Sequence, residues 1–430
     1  MYRIKSEIRT SPRSRAYEAT IAMIGLAALI LLLLLPAPVQ AQGSIRAWGM
    51  GGALTASSRG LDAVEFNPAN LALTQGTNVG LAGVALDVNN NALSLDRYNE
   101  ITGSYLNESD KQRLLDDIPE SGFQLDADVR ASAMGAQIGD FAVSFGAWGA
   151  GSGNLDRDYF ELVLFGNELD ETIDFSNTHG EGYALATAAV SYGRKVYGGD
   201  TWSLFGGMNV RYFQGIYEMH VEEAYGSVTT TFDEIVGEAY VSTISAQGGT
   251  GAGCDLGLAV QFPGSWTFGL ALDNAYTRIN WDTDVETQRF WVDASDINLA
   301  NDDLESAIAD ADTTLTGEAY STSLPRTMRL GAANRLGSFN VAADYVQGFE
   351  TRGTSSTTPQ VNMGAEWDLC SYFMPRMGMS FGGAQGRSLA GGLGLGLGPW
   401  KVDLAAMTRG GLSGGGTKGV GFAAGTSLKF

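Results

Sequence analysis

Reactive side chains are scarce in this chain of 430 residues, which has two histidines, His179 and His220, and two cysteines, Cys254 and Cys370. A nucleophilic triad or a metal centre needs an imidazole or thiolate beside partners of the right kind. Neither histidine falls in such a setting. The run 391–398 (GGLGLGLG) has the outline of a phosphate loop, but its glycines alternate with Leu393, Leu395 and Leu397. A strand with small residues on one face accounts for that spacing in full. The expectation is therefore a protein that is not an enzyme, with no cofactor and no metal. What remains is charge set into otherwise apolar, alternating segments: Arg211, Asp255, Arg329, Asp344, Asp403 and Arg409. Ionisable groups in such positions pair or meet water. A segment near the N-terminus carries counterparts in Arg46, Arg59, Asp62 and Glu65, so ion pairs are expected between Arg46 or Arg59 and Asp255, Asp344 or Asp403.

The elements that must position these charges begin after an export signal, expected at residues 1–41. Arg3, Lys5, Arg9, Arg13 and Arg15 form a basic start, residues 21–35 are unbroken apolar, and Val39-Gln40-Ala41 makes a small-residue cleavage site before Gln42. That apolar run is short of the ~20 residues a spanning helix needs. No later segment is long and apolar enough to be one, which leaves the closed barrel as the other way to span a membrane. The whole chain carries a net charge of −21, with no basic stripe to neutralise phosphates, so nucleic acid is excluded as a partner. The two cysteines are read as unpaired.

From Asn78 onward, segments of about ten alternating residues recur between turn signals, as the strands of such a barrel do. Leu256, Leu258, Val260 and Phe262 share one face, with Asp255, Gly257, Ala259 and Gln261 on the other. After Pro263-Gly264 the apolar face continues through Trp266, Phe268, Leu270 and Leu272. Aromatic residues gather at strand ends, where a lipid interface favours them. The final segment puts Phe422, Ala424, Thr426, Leu428 and the terminal Phe430 on one face. Short turns near 139–140, 198–200, 263–264, 337–338, 370–372 and 398–399 alternate with outer connections at 99–125, 150–181, 214–249, 281–323, 350–357, 384–387 and 410–416. This gives an all-β, antiparallel transmembrane barrel of fourteen strands over residues 77–430, provided 78–98 is one long strand bulged at Asn89-Asn90-Asn91. Two outer connections are expected to hold short helices, at 108–118 and 158–165. Leu114, Leu115, Phe160, Leu162 and Phe165 on them form a candidate outer hydrophobic site.

Residues 42–76 do not alternate. Gly49, Gly51 and Gly52 allow close backbone contacts, and Pro68 pushes Asn67 out of the helical region in the turn Asn67-Pro68-Ala69. The run GMGGALTA…DAVEFNPANLA resembles the N-terminal segment of the FadL-like outer-membrane proteins, the long-chain fatty-acid transporters and their PorV-type relatives. The resemblance implies that residues 42–76 plug the barrel, with Asn67, Pro68, Ala69, Gly49, Gly51 and Gly52 as plug residues; the glycine face of Gly392, Gly394 and Gly396 leaves room for the plug against that sector of the wall. The resemblance also implies a lateral exit at a kinked strand, for which 146–153 and 89–91 are the candidates. Two functions stay open: a monomeric outer-membrane barrel, bounded by lipid, that admits small hydrophobic, fatty-acid-like compounds, or a non-transporting barrel that anchors an envelope or secretion assembly through a protein partner.

Overall fold

A computed structural model describes residues 44–232, 234–294, 297–298, 309–352, 355–370 and 372–430. The expected export signal, and Gln42 at the start of the N-terminal segment, lie outside the described residues. Among the described residues, fourteen strands make the wall. These are β1 (Thr77–Asn90), β2 (Phe123–Ile138), β3 (Phe141–Leu155), β4 (His179–Gly198), β5 (Ser203–Thr230), β6 (Glu234–Gln261) and β7 (Thr267–Trp281). They continue as β8 (Thr327–Leu336), β9 (Phe339–Gly348), β10 (Gln360–Trp367), β11 (Phe373–Gly382), β12 (Arg387–Leu397), β13 (Trp400–Arg409) and β14 (Gly419–Lys429). Five further short strands, such as Glu286–Asp293 and Ala309–Thr316, extend the outer hairpins.

Each wall strand pairs antiparallel with the next, and β14 returns to β1, with Asn78 opposite Lys429 and Asn89 opposite Gly419. Closure gives the backbone partners that lipid cannot supply. The C-terminal residue seals the seam, since Thr77 N–H donates to the Phe430 carbonyl at 3.0 Å and Phe430 N–H donates to that of Thr77 at 2.9 Å. Gly76 approaches this seam at φ +84°, where a Cβ would stand 2.4 Å from the Phe430 oxygen. No other residue fits there without moving the seam.

The two-residue period is resolved as expected. Leu256, Leu258, Phe268 and Leu270 are exposed on the outer surface, whereas Asp255, Ala259 and Ala271 are buried inside. Rings at the short-turn end pair across neighbouring strands, Phe141 with Tyr192 at 4.5 Å and Phe339 with Trp367 at 5.2 Å, as in an aromatic girdle.

Three sequence expectations are corrected. Residues 78–98 are not one strand: β1 stops at Asn90, whose Oδ1 accepts from the amides of Ala92 and Leu93, and a helix, α3 (Leu95–Ile101), follows. That local bond competes with the ladder and ends it. The strand count survives, because the chain still reaches the outer side once. The connection at 214–249 is itself paired, with β5 and β6 continuing as a hairpin to Thr230 and Glu234. Residues 146–153 are not a gap, being bonded to β2 on one side and β4 on the other. The wall is interrupted elsewhere. Pairing of β7 with β8 ends at Asp273 opposite Thr327, and β7 is met again only by Tyr320–Thr322. The outer helices form at Glu108–Asp117 (α4), capped by Asn107, and Arg157–Phe165 (α5), capped by Asp156.

Leu404, exposed at the middle of β13, gives a direct check of the lipid-facing assignment. Leu404→Arg is expected to cost about 2–4 kcal/mol in equilibrium unfolding from a bilayer, and a neutral result would contradict that assignment.

Candidate functional site

Residues 44–76 fold on themselves inside the barrel. They form α1 (Ile45–Gly49), α2 (Asp62–Phe66) and a 3-10 helix (Pro68–Leu73). Ser44 ties the start to α2, its N–H donating to Glu65 and its Oγ to Asp62, both at 2.8 Å. Asn70 ties the middle together by donating to the Thr55 carbonyl at 2.9 Å and Ser58 Oγ at 2.8 Å. Met50, Ala53, Leu54, Thr55, Asn67 and Asn70 are fully buried.

The Asn67-Pro68-Ala69 turn works through its side chain. Asn67 Oδ1 accepts from the Ala69 amide at 3.1 Å, capping the 3-10 helix, and its Nδ2 donates to the wall at the Leu258 carbonyl, 2.9 Å away. The segment comes closest to the wall at wall glycines. A Cβ on Gly207 would lie 2.3 Å from the Ala69 nitrogen, one on Gly257 2.2 Å from Asn67 Oδ1, and one on Gly378 2.2 Å from the Met50 carbonyl carbon. Gly392, expected near this segment, stands with a Cβ position 2.8 Å from the Cα of Gly49. Gly51 and Gly52 turn with φ +63° and +87° beside β11 and β10.

Of the five residues expected to pair across this contact, Arg46 reaches the wall by a partner the sequence reading did not name. Its guanidinium grips Glu366 of β10 through two bonds of 3.0 and 2.9 Å. Arg376 of β11, with its side chain wholly buried, bridges Glu366 and Asp403, each at 2.6 Å. Asp344 accepts from the amides of Leu54 and Thr55 at 2.8 Å each. Asp255 pairs with Arg211 at 2.7 Å, wall to wall. Arg59 donates to the carbonyls of Ala56 and Ser58, within its own segment. Glu366 and Arg376 carried a readable signal, since each lies on the phase of its strand shared with Asn362 and Gly364 or with Gly378 and Ser380.

Two cavities flank the segment. The one toward the short turns is about 720 Å³ and polar at its rim, lined among others by Arg59, Asp62, Arg335, Asp368 and Lys401. The one toward the outer loops is about 310 Å³ and is lined by Trp48 and Phe66 of the segment, by Trp148 and Phe213, and by four arginines, Arg130, Arg211, Arg329 and Arg409. Beside it an apolar sector is packed solid, with Leu185, Phe213, Ile279 and Trp281 buried against Trp148 and Tyr183.

Over that sector lies a polar cluster. Tyr320 hydroxyl and His220 Nδ1 both meet Glu218, the latter at 3.0 Å, and Arg352 crosses to Glu181 at 2.5 Å. The Glu218 hydrogen bond raises the His220 pKa above the ordinary 6.5. The candidate outer patch is satisfied locally: Leu115 is buried, Phe160 packs on Phe123 at 5.5 Å, and Lys111 lies over the Phe165 ring at 5.7 Å. Leu114 and Leu162 are half-buried. The described Cys254 and Cys370 are free thiols.

A closed fourteen-strand antiparallel sheet with aromatic rims defines a transmembrane β-barrel of the FadL-like fold. The chain belongs to DUF5723, a family of unknown function, whose profile matches residues 68–246 and 231–408. No curated protein matches the sequence. Among solved structures it is similar to TbuX, described as a toluene transporter of Ralstonia pickettii, at 14% identity and TM-score 0.50, covering 91% of this chain and 99% of that one. It is also similar to the Pseudomonas putida toluene transporter TodX (13%, TM-score 0.48, 91% and 99%) and to a Pseudomonas aeruginosa FadL homologue (13%, TM-score 0.48, 92% and 99%). At these identities the likeness is one of fold.

Two measurements test this geometry. Glu366→Ala takes from buried Arg376 one of its two carboxylates and from Arg46 its partner on the wall, and is expected to cost about 3–5 kcal/mol in unfolding; a loss under 1 kcal/mol would contradict the network. By NMR, His220 is expected to titrate above 6.5, and Glu218→Gln to lower that midpoint. Because the folded pKa is raised, the stability this pair contributes is complete below pH 6.5 and is lost as pH climbs through the folded value.

Proposed function

We propose that this protein is a conduit of the outer membrane for small hydrophobic compounds, with residues 42–76 as its plug, residues 77–430 as its wall and residues 1–41 as a removed export signal. The reading rests chiefly on one observation: the N-terminal segment stands between an outer and an inner cavity of the same lumen. A barrel serving only as an anchor has no need of space on both sides of a stopper. The toluene transporter TbuX shares the fold over nearly its whole length, which supports the same class of cargo. A compound collected among the outer loops reaches the segment through the cavity lined by Trp48 and Trp148. The break between β7 and β8, where the ladder ends and Asn274 (φ +51°) donates to the Pro325 carbonyl at 2.9 Å, is the proposed route into lipid.

Cells with and without the protein, given labelled toluene and a labelled long-chain fatty acid, test the proposal. Uptake of a hydrophobic compound is expected to depend on the protein, and equal uptake would return the anchoring alternative. Deleting residues 44–73 is expected to raise leakage of small polar dyes, whereas unchanged leakage would argue against the plug.

A further inference from the structure

The outer cavity is an unusual place for a bare hydrocarbon. Its four arginines are balanced by four carboxylates, Glu65, Asp87, Asp128 and Asp273. Arg130 holds Asp128 at 2.8 Å, Arg329 holds Asp273 at 2.5 Å and Arg409 holds Asp87 at 2.7 Å. Three of these guanidinium groups also lie over aromatic rings: Arg130 over Trp148 at 5.1 Å, Arg329 over Phe66 at 5.2 Å and Arg409 over Trp48 at 5.9 Å. Arg329 and Arg409 engage their carboxylates through Nε, and among the described residues the two terminal nitrogens of each make no hydrogen bond to protein. The lining therefore alternates flat apolar faces with hydrogen-bond donors that only water or a ligand satisfies.

We propose that this cavity binds compact, uncharged aromatic compounds bearing a hydroxyl group, of the phenol or benzyl alcohol kind, in preference to hydrocarbons or carboxylates. The proposal rests on the conduit reading and names its substrate class. A hydrocarbon entering the cavity strips water from the guanidinium and carboxylate edges and returns no hydrogen bond, which such sites penalise heavily. A hydroxyl replaces the bond that the displaced water made, while the ring stacks with Trp48, Phe66 or Trp148. An aromatic anion gains little, because each of the four guanidinium groups is already paired with a carboxylate, Arg211 with Asp255 behind the lining and the other three with Asp128, Asp273 and Asp87 in it. A volume of about 310 Å³ suits one single-ring compound. Two of the rings belong to the N-terminal segment and the third to the wall, so the ligand touches both.

Binding of phenol, benzyl alcohol, toluene and benzoate to the whole protein in detergent, followed by equilibrium dialysis against protein-free micelles, is the test. Saturable binding of phenol and benzyl alcohol at least about 10-fold tighter than toluene and benzoate is expected, with quenching of tryptophan fluorescence. The double substitution Arg329→Met with Asp273→Asn, which removes the pair without leaving a charge, is expected to bring phenol to the level of toluene. Arg335→Met, at the far rim, is expected to leave the preference intact. Toluene or benzoate binding as tightly as phenol in the unaltered protein would overturn the inference, whatever the variants do. If cells take up toluene and the purified protein shows no preference, the conduit reading stands and this inference falls. If phenol binds as described and no compound is taken up, the reverse holds.

Discussion

Within a bilayer a peptide N–H has no water to turn to, so a wall of strands persists there only if its last strand finds its first. Everything else in this structure follows from that closure. Thr77 and Phe430 exchange two hydrogen bonds at the seam, and Gly76 is the only residue type that lets the chain enter it. A ring of fourteen strands is wider than the eight whose side chains fill their own interior. The inward phase here is rich in glycine and alanine, which widens the lumen further. Something other than the wall must occupy it, and residues 44–76 do.

Occupancy by backbone has a chemical consequence. A segment with little regular structure brings unpaired amides and carbonyls into a buried place, and each one left unmade is costly. The wall answers with fixed polar groups: Asp344 takes two amides, Asn209 donates to the Val64 carbonyl at 3.1 Å, and Asn67 is held at both ends of its amide. The buried chain Arg46–Glu366–Arg376–Asp403 sets the register of α1 against β10, β11 and β13. Between these polar points the segment packs small apolar groups on the wall, Met50 and Leu54 near Ala333 and Ala342, Val64 and Leu71 near Ala142 and Ala189, and Ala69 near Phe205 and Ala259. The polar points fix one position of the segment, and the small apolar residues let its backbone lie close to the wall.

The wall was legible in the sequence because period-two patterning is local: each strand announces its own faces, and Leu256 to Leu272 could be assigned without knowing any neighbour. The turn at Asn67-Pro68-Ala69 was legible for the same reason, as Pro and Asn act within two residues. What resisted reading is long-range. Arg46 and Glu366 are 320 positions apart, and nothing in either neighbourhood selects the other. The end of β1 was missed because an even strand count was met by running one strand through 78–98, and a side-chain bond from Asn90 leaves no periodic trace that would have stopped it. The β5–β6 hairpin was missed because its outer half alternates Tyr217, Met219 and Val221 with the ionisable Glu218, His220 and Glu222, a pattern shared by loops and by strands beyond the lipid.

The claim that residues 44–76 are seated against the wall is tested most directly by amide hydrogen exchange at Leu54 and Thr55, followed by NMR in detergent. Both amides donate to a carboxylate that lies nearly 300 residues away in sequence. Slow exchange in the unaltered protein, accelerated at these two positions by Asp344→Ala while the wall amides stay protected, is the predicted result. Exchange at the rate of a free peptide in the unaltered protein would contradict it.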